Sequence, residues 1–151
     1  MIVYLACDHA GFELKEKIKE FLQKGGYKVE DFGAHSYDGE DDYPDFISKA
    51  AESVSKGPES RSIVLGGSGQ GEAIVANKFR GVRATVFYGG SLEVVKLSRQ
   101  HNNANILSLG ARFLNEEDAL KAVKLWLDTP FSNEGRHKRR IEKIQKIEES
   151  L

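Results

Sequence analysis

Short apolar runs rich in β-branched residues alternate along the chain with longer segments whose apolar positions recur at helical spacing. The short runs predict five strands, over Ile2–Cys7, Lys28–Phe32, Ser62–Leu65, Val82–Phe87 and Ile106–Leu109. The longer segments predict helices over Phe12–Lys24, Pro44–Ser55, Glu72–Lys78, Ser91–Gln100 and Glu116–Leu127. Such alternation is typical of α/β proteins with a parallel sheet and helices on both faces. We therefore expect one three-layer α/β/α domain over residues 1–151.

A last amphipathic segment follows Thr129-Pro130 and has no strand after it. It predicts a charged helix over Glu134–Glu149, with an apolar stripe formed by Ile141, Ile144 and Ile147. A five-stranded sandwich already covered on both faces offers this stripe no obvious place. We therefore expect the helix to pack as an arm or against a second subunit.

Composition limits the location and the partners of the protein. The chain has 151 residues, with 22 Lys plus Arg against 23 Asp plus Glu. This balance gives no overall field toward nucleic acid or membranes, so we expect neither as a partner. The one cysteine, Cys7, excludes an intramolecular disulfide and is expected in a buried strand rather than as a nucleophile. Without a signal-peptide pattern or an apolar run of about 18 residues, we expect a cytoplasmic location.

The strongest local motif is the glycine-rich string from Gly66 to Glu72, which directly follows the third predicted strand and opens a helix. Glycines there allow backbone N–H groups to converge on a phosphate or on an oxyanion formed during a reaction. A tight turn without a ligand is the alternative. The P-loop and dinucleotide-binding motifs are excluded because the required lysine and glycine spacing are absent.

Three carboxyl or imidazole groups accompany this loop in the predicted fold. Glu72 lies in the first turn of its helix, where the helix dipole favours an ionised carboxylate that can act as a base or simply stabilise the helix start. Asp8 and His9 end the first strand, at the sheet edge where ligands collect. Capping of the helix that begins near Phe12 is an equally open role for Asp8.

Two further motifs carry polar chemistry toward the end of the chain. The string His101-Asn102-Asn103 closes the fourth helix, and we expect it near the same sheet edge. His101 could shuttle protons there, or it could belong to a helix end capped by a left-handed asparagine. Arg136 and Arg140 share a helix face and could clamp a phosphate, although surface ion pairs with nearby glutamates are the alternative.

The acidic stretch Asp38–Asp42 lacks the spacing of a calcium loop, and the four histidines of the chain are scattered. We interpret the stretch as a solvated loop and expect no metal site.

Six blocks of sequence occur in an order that covers nearly the whole chain. They are Cys7-Asp8-His9-Ala10-Gly11, Asp42-Tyr43-Pro44, Gly67-Ser68-Gly69-Gln70-Gly71, Ala76-Asn77-Lys78, Arg99-Gln100-His101-Asn102-Asn103 and Gly135-Arg136-His137. In these blocks the chain resembles the type B ribose-5-phosphate isomerases, whose wider family includes isomerases of allose 6-phosphate and galactose 6-phosphate. The resemblance implies a Rossmann-like sandwich and a homodimer, with each active site completed by both subunits.

The resemblance also assigns roles. Many members carry a cysteine base where this chain has Gly66, and another branch uses a glutamate at the position of Glu72, so the resemblance assigns the base to Glu72. It implies enediolate stabilisation by Ser68 and the loop amides of Gly67, Gly69 and Gly71, ring opening by His101 with Asp8 nearby, phosphate binding by His9, Arg112, Arg136 and Arg140, and a sugar site lined by Tyr43 and Asn102.

The expected reaction interconverts an aldose and a ketose through an enediolate. A base and oxyanion donors suffice for this chemistry, so we expect no cofactor and no metal. The alternatives are an isomerase of a six-carbon sugar phosphate and a non-catalytic module that binds phosphosugars or nucleotides. Glu72 argues against such a module, because an unpaired acid would repel an anionic ligand. The preferred sugar and the choice between dimer and tetramer stay open.

Overall fold

Five strands and six helices follow one another in nearly the predicted places, and the computed structural model describes residues 1–151. The strands are β1 (Ile2–Cys7), β2 (Lys28–Asp31), β3 (Arg61–Gly66), β4 (Ala84–Phe87) and β5 (Ile106–Gly110). The helices are α1 (Phe12–Lys24), α2 (Pro44–Lys56), α3 (Gln70–Ala76), α4 (Glu93–Asn102), α5 (Glu116–Asp128) and α6 (Gly135–Glu149). All paired strands are parallel, in the order β2-β1-β3-β5-β4. The predicted α/β/α architecture is confirmed.

The helices form one layer on each face of the sheet. α1, α4 and α5 pack beside one another on one face, and α2 packs with α3 on the other. Side chains of β1 alternate between the two faces, as the period of a strand requires: Val3 and Leu5 join the core under α1 and α5, whereas Ala6 joins the core under α2. Cys7 is fully buried, and burial raises the pKa of its thiol to about 12. The expectation of a structural cysteine is confirmed.

The bounds of β4, α3 and α4 differ from the prediction by two residues, and β4 begins at Ala84 rather than Val82. Val82 is apolar because it is buried under α2, and its N–H donates to the Phe79 carbonyl in a turn. The Asn77 side chain then pairs with Ala84, accepting from its N–H at 2.8 Å and donating to its carbonyl at 3.1 Å. α3 ends at Ala76, two residues before its predicted end at Lys78, and Asn77 is the residue that follows it.

The carboxyl ends of the parallel strands lie along one side of the sheet, and their amino ends lie along the opposite side. We name these two sides the carboxyl edge and the amino edge. A helix that returns the chain between parallel strands must end at the amino edge. Accordingly the end of α4 lies beside the start of β4, where the Arg83 Nε donates to the carbonyls of Asn102 and Asn103. The expectation that His101 lies at the ligand-binding carboxyl edge is therefore wrong within one chain.

α6 runs along the amino edge and contacts α4. Its Glu148 carboxylate accepts the Gly81 N–H at 2.9 and 3.0 Å. Ile144 and Ile147 remain 52% and 63% exposed, so two of the three residues in the predicted apolar stripe face outward in the single chain. None of the helices combines the length and the apolar character needed to cross a membrane.

Candidate active site

The loop between β3 and α3 forms a turn that only glycine accommodates easily. Gly69 has a left-handed φ of 78°, and its carbonyl accepts the Ser108 hydroxyl at 2.6 Å. The backbone N–H groups of Gly67, Ser68, Gly69 and Gly71 donate to no acceptor in the chain. Such a row of free N–H groups is suited to an anion. The loop therefore has the donors that the sequence predicted.

Glu72 turns its carboxyl group back toward the end of β3. A Cβ atom placed on Gly66 would overlap this carboxyl group, so the glycine leaves the space that Glu72 fills. The Glu72 residue is only 3% exposed. Burial raises the pKa of its carboxyl, and the nearby Asp8 carboxylate raises it further. Desolvation therefore opposes the stabilising effect that the helix dipole was expected to have on the ionised carboxylate.

Asp8 and His9 lie beside Glu72 at the carboxyl edge. The buried Asp8 carboxylate accepts the Ala10 N–H at 3.0 Å and caps the short 3-10 turn His9–Gly11, while α1 itself has no side-chain cap. The prediction that Asp8 caps the helix that begins near Phe12 is therefore wrong, because Asp8 caps the 3-10 turn that precedes this helix. His9 Nδ1 lies 2.7 Å from Asp41 Oδ1, and this hydrogen bond is the largest cause that raises the pKa of His9.

Tyr43 and Arg112 flank the glycine loop. A Cβ on Gly71 would lie 2.6 Å from the Tyr43 ring, and a Cβ on Gly67 would lie 3.3 Å from the Arg112 guanidinium. Both side chains therefore approach the loop backbone closely. Arg112 also affects His9, whose pKa its positive charge lowers. The predicted substrate-binding residues of this edge are gathered around one loop.

A second group of predicted site residues lies at the amino edge. The ring centroids of His101 and the buried His137 are 4.2 Å apart. Asn103 adopts the left-handed conformation expected of a helix cap. Burial lowers the pKa of His137, whose Nδ1 lies 2.8 Å from Ser132 Oγ. A cavity of about 310 Å³ lies beside the contact between α4 and α6, and its lining includes His101, Asn102, His137 and Arg140. Arg140 is exposed there.

Arg136 precedes His137 on the same helix and is exposed. Its Nε donates to Glu134 Oε2 at 3.2 Å, which matches the surface ion pair left open by the sequence. The structure therefore divides the predicted residues into two groups. The carboxyl edge gathers Asp8, His9, Tyr43, Gly67, Ser68, Gly69, Gly71, Glu72 and Arg112, whereas His101, Asn102, Arg136 and Arg140 lie at the amino edge.

Sequence reasoning missed Asp41. The side chain of this residue is 9% exposed rather than solvated, and it contacts His9 across 32 positions of sequence. Asp8, His9 and Asp41 bring ligand atoms within 4.8 Å of one another, which is close enough for a cation. His9 Nδ1 is already hydrogen-bonded to Asp41, so we interpret the cluster as a carboxylate–histidine pair. No local sequence signal points to this pair.

Comparison with known proteins identifies the family of this site. A family model described as Ribose/Galactose Isomerase matches residues 3–144. The chain belongs to this family. It is 45% identical over 148 residues to ribose-5-phosphate isomerase B of Mycolicibacterium paratuberculosis, covering 98% of this chain and 92% of that protein. These findings confirm the family that the six sequence blocks resemble.

Solved structures of Ribose/Galactose Isomerase relatives match the whole fold. Ribose-5-phosphate isomerase B from Mycoplasma genitalium, with bound ribulose 5-phosphate, has a TM-score of 0.95 and 38% identity, covering 99% of this chain and 97% of that chain. The Clostridium thermocellum ribose-5-phosphate isomerase B has a TM-score of 0.93 and 44% identity, covering 99% of both chains.

The geometry explains why this chain cannot combine both bases known from the family resemblance. Because the carboxyl group of Glu72 fills the space next to Gly66, a cysteine at that position would overlap it. A cysteine side chain there and the observed conformation of Glu72 exclude each other. Glu72 is the only one of the two candidate bases that this chain contains.

Proposed function

We propose that this protein interconverts ribose 5-phosphate and ribulose 5-phosphate. The observation that carries the proposal is the buried Glu72 carboxylate beside four unpaired loop N–H groups. The relatives named ribose-5-phosphate isomerase B support the choice of substrate, as does the similarity to a structure with bound ribulose 5-phosphate. In our proposal the enzyme acts in the cytoplasm, within pentose phosphate interconversion.

Proton transfer at Glu72 is the central step. In the direction from aldose to ketose, the Glu72 carboxylate removes the proton from C2 of the open-chain sugar. The electron pair of that C–H bond forms the C1–C2 double bond, and the C1 oxygen becomes the enediolate oxyanion. Glu72 then returns the proton to C1, while the O2 proton moves to O1 to leave a ketone at C2. A positioned base of this kind contributes about 100-fold to 10,000-fold to the rate.

The glycine loop stabilises the oxyanion in this mechanism. Its free N–H groups and the Ser68 hydroxyl lie at the end of β3, next to the Glu72 carboxyl group. Donors already fixed in place lose no reorganisation energy when charge develops. Proton transfer and oxyanion stabilisation need no cofactor and no metal in this proposal. Tyr43, in contact with Gly71, lines the sugar site.

The complete site is formed by two copies of the chain. His101, Asn102, Arg136 and Arg140 lie at the amino edge, so they reach a Glu72 site only from a second subunit. The exposed Ile144 and Ile147 on α6 supply apolar surface for such an association. In the homodimer His101 assists ring opening, and the two arginines hold the phosphate together with His9 and Arg112 of the other chain. We infer that a dimer is the minimal active unit, and a tetramer of such dimers is compatible with it.

An assay of several sugar phosphates tests the proposal. The purified chain is incubated with ribose 5-phosphate, allose 6-phosphate and galactose 6-phosphate in the presence of a chelator, and ketose formation is followed. We expect the fastest conversion with ribose 5-phosphate. If a six-carbon sugar phosphate is converted faster, that compound is the substrate instead of ribose 5-phosphate. Binding without conversion would indicate a phosphosugar-binding module.

A further inference from the structure

Asp41 has an environment unlike that of the other acids in its loop. Its Oδ1 accepts one hydrogen bond from the backbone N–H of His9 at 3.0 Å and another from the ring Nδ1 of His9 at 2.7 Å. Its buried Oδ2 has no partner in the chain. Asp38, in contrast, is exposed and accepts only the N–H of Glu40, two residues away. A buried carboxylate with one unpaired oxygen is costly unless an opposite charge lies next to it. The neighbouring imidazole of His9 can supply that charge.

The groups that face His9 determine its charge. Asp41 and Asp8 both favour the imidazolium, and Arg112 opposes it. The Tyr37 ring contacts the imidazole edge-on, with 6.0 Å between ring centroids, and adds no formal charge at neutral pH. The Asp41 hydrogen bond is the largest cause, and together with the charges of the two acids it outweighs desolvation and the Arg112 charge, so the pKa of His9 lies above its ordinary value. The hydrogen bond also occupies Nδ1, so Nε2 is the ring nitrogen left for a ligand.

We propose that Asp41 is a positioning residue that orients the His9 ring through Nδ1, with Nε2 directed to the phosphate of the substrate. This inference rests on the proposed function, in which His9 binds the phosphate. Asp41 itself touches no substrate; it fixes the ring orientation through Nδ1, as a carboxylate does for many functional histidines. The pair connects the loop after β2 to the end of β1.

The central test compares Asp41→Asn with Asp38→Asn, which removes the same charge from an exposed position of the same loop. At pH 8 we expect Asp41→Asn to raise the KM for ribose 5-phosphate about tenfold, with kcat changed less than about twofold, because one charge-assisted hydrogen bond is lost. Because Asp41 raises the pKa of His9, the KM increase should be smaller at pH 6 than at pH 8, since lower pH favours the imidazolium even without Asp41. Asp38→Asn should keep the wild-type KM at both values. An equal KM increase at pH 6 and pH 8 would overturn the inference.

A double-variant comparison separates positioning from a general structural role. In a His9→Gln background, Asp41→Asn should change KM less than about twofold, because its partner is already absent. A tenfold effect that persists in this background would show that Asp41 acts through another group, and the inference would be overturned.

Two measurements do not depend on isomerase activity. An NMR titration should show a lower His9 pKa in Asp41→Asn than in the wild type, and the dissociation constant of inorganic phosphate should rise at pH 8. An unchanged His9 pKa would overturn the inference even if the enzyme is active. A lowered pKa with weakened phosphate binding would support it even if ribose 5-phosphate is not the substrate, so failure of the proposed function is distinguishable.

Discussion

The carboxyl edge and the amino edge hold the two halves of the proposed site in opposite physical states. At the carboxyl edge Glu72 and Asp8 are buried, and Asp41 is paired with His9. At the amino edge Arg136 and Arg140 are exposed on α6, and the Arg136 partner is an exposed glutamate. One chain therefore organises the half that we propose transfers protons, and it leaves the arginines that we propose bind the phosphate facing outward.

The difference follows from the chemistry of each half. A base needs a fixed position and a tuned pKa, which only a packed environment provides. Long arginine side chains need only reach a phosphate that arrives with another surface, and exposed ion pairs hold them weakly. This comparison predicts that removing the proposed base Glu72 mainly affects kcat, whereas removing Arg136 or Arg140 mainly affects KM.

The largest expected effect is at Glu72. Glu72→Gln keeps the shape of the side chain but removes the base, so kcat should fall about 100-fold to 10,000-fold with KM nearly unchanged. Steady-state kinetics with ribose 5-phosphate measure both constants. Glu116→Gln is the matched control, because Glu116 is an exposed acid in the first turn of α5. Turnover within threefold of the wild type in Glu72→Gln would assign the proton transfer to another group.

The second effect tests the space beside Gly66. In Gly66→Ala the new Cβ overlaps the Glu72 carboxyl group, so the base must move and kcat should fall about 100-fold. The double variant Gly66→Ala/Glu72→Ala removes the overlap and should melt at a higher temperature than Gly66→Ala alone. Gly25→Ala, where the new Cβ makes only ordinary contacts, serves as the control. A fully active Gly66→Ala enzyme would contradict the observed position of Glu72.

The third effect tests the amino edge. Arg136→Ala or Arg140→Ala should raise KM about tenfold or more with a smaller change in kcat, because charge-assisted contacts to the phosphate are lost. Arg139→Ala changes an exposed arginine of the same helix and should leave KM unchanged. If both clamp variants keep the wild-type KM, another group holds the phosphate.

Mixing chains then sharpens the comparison of the two edges. A dimer of one Arg136→Ala chain and one Glu72→Gln chain has one intact site if the two residues come from different subunits. At substrate concentrations well below the wild-type KM, where Arg136→Ala dimers convert little, random mixing should restore about a quarter of the wild-type activity, since half the dimers are mixed and each has one good site of two. Mixed dimers without activity would place both residues of a site on the same chain.

The smallest effect concerns pH. Because burial raises the pKa of Glu72, the base becomes protonated at a higher pH than an ordinary glutamate, and kcat/KM should fall on the acid side above the usual carboxyl range. Asp8→Asn removes a charge that raises this pKa, so the acid limb should move to lower pH. A pH profile of both proteins measures the shift. An unchanged limb in Asp8→Asn would show that Glu72 does not control it.

The sequence by itself determined the secondary structure and the first candidates for the site. Strand and helix periods depend on neighbouring residues, so all five strands and six helices were predictable. The start of β4 was an exception. Val82 fitted the pattern of a strand, but its apolar side chain packs under α2. Glu72 was also predictable, because the glycine loop and its helix are contiguous in the chain.

Only the tertiary structure decided the strand order, the separation of His101 from Glu72 and the partners of buried charges. Lys15, for example, lies in α1 yet is fully buried, where its Nζ donates to both Asp31 oxygens at 2.8 Å. Asp41 and His9 are likewise 32 positions apart. Such contacts depend on where loops and crossovers place distant segments, and local periodicity carries no information about that placement.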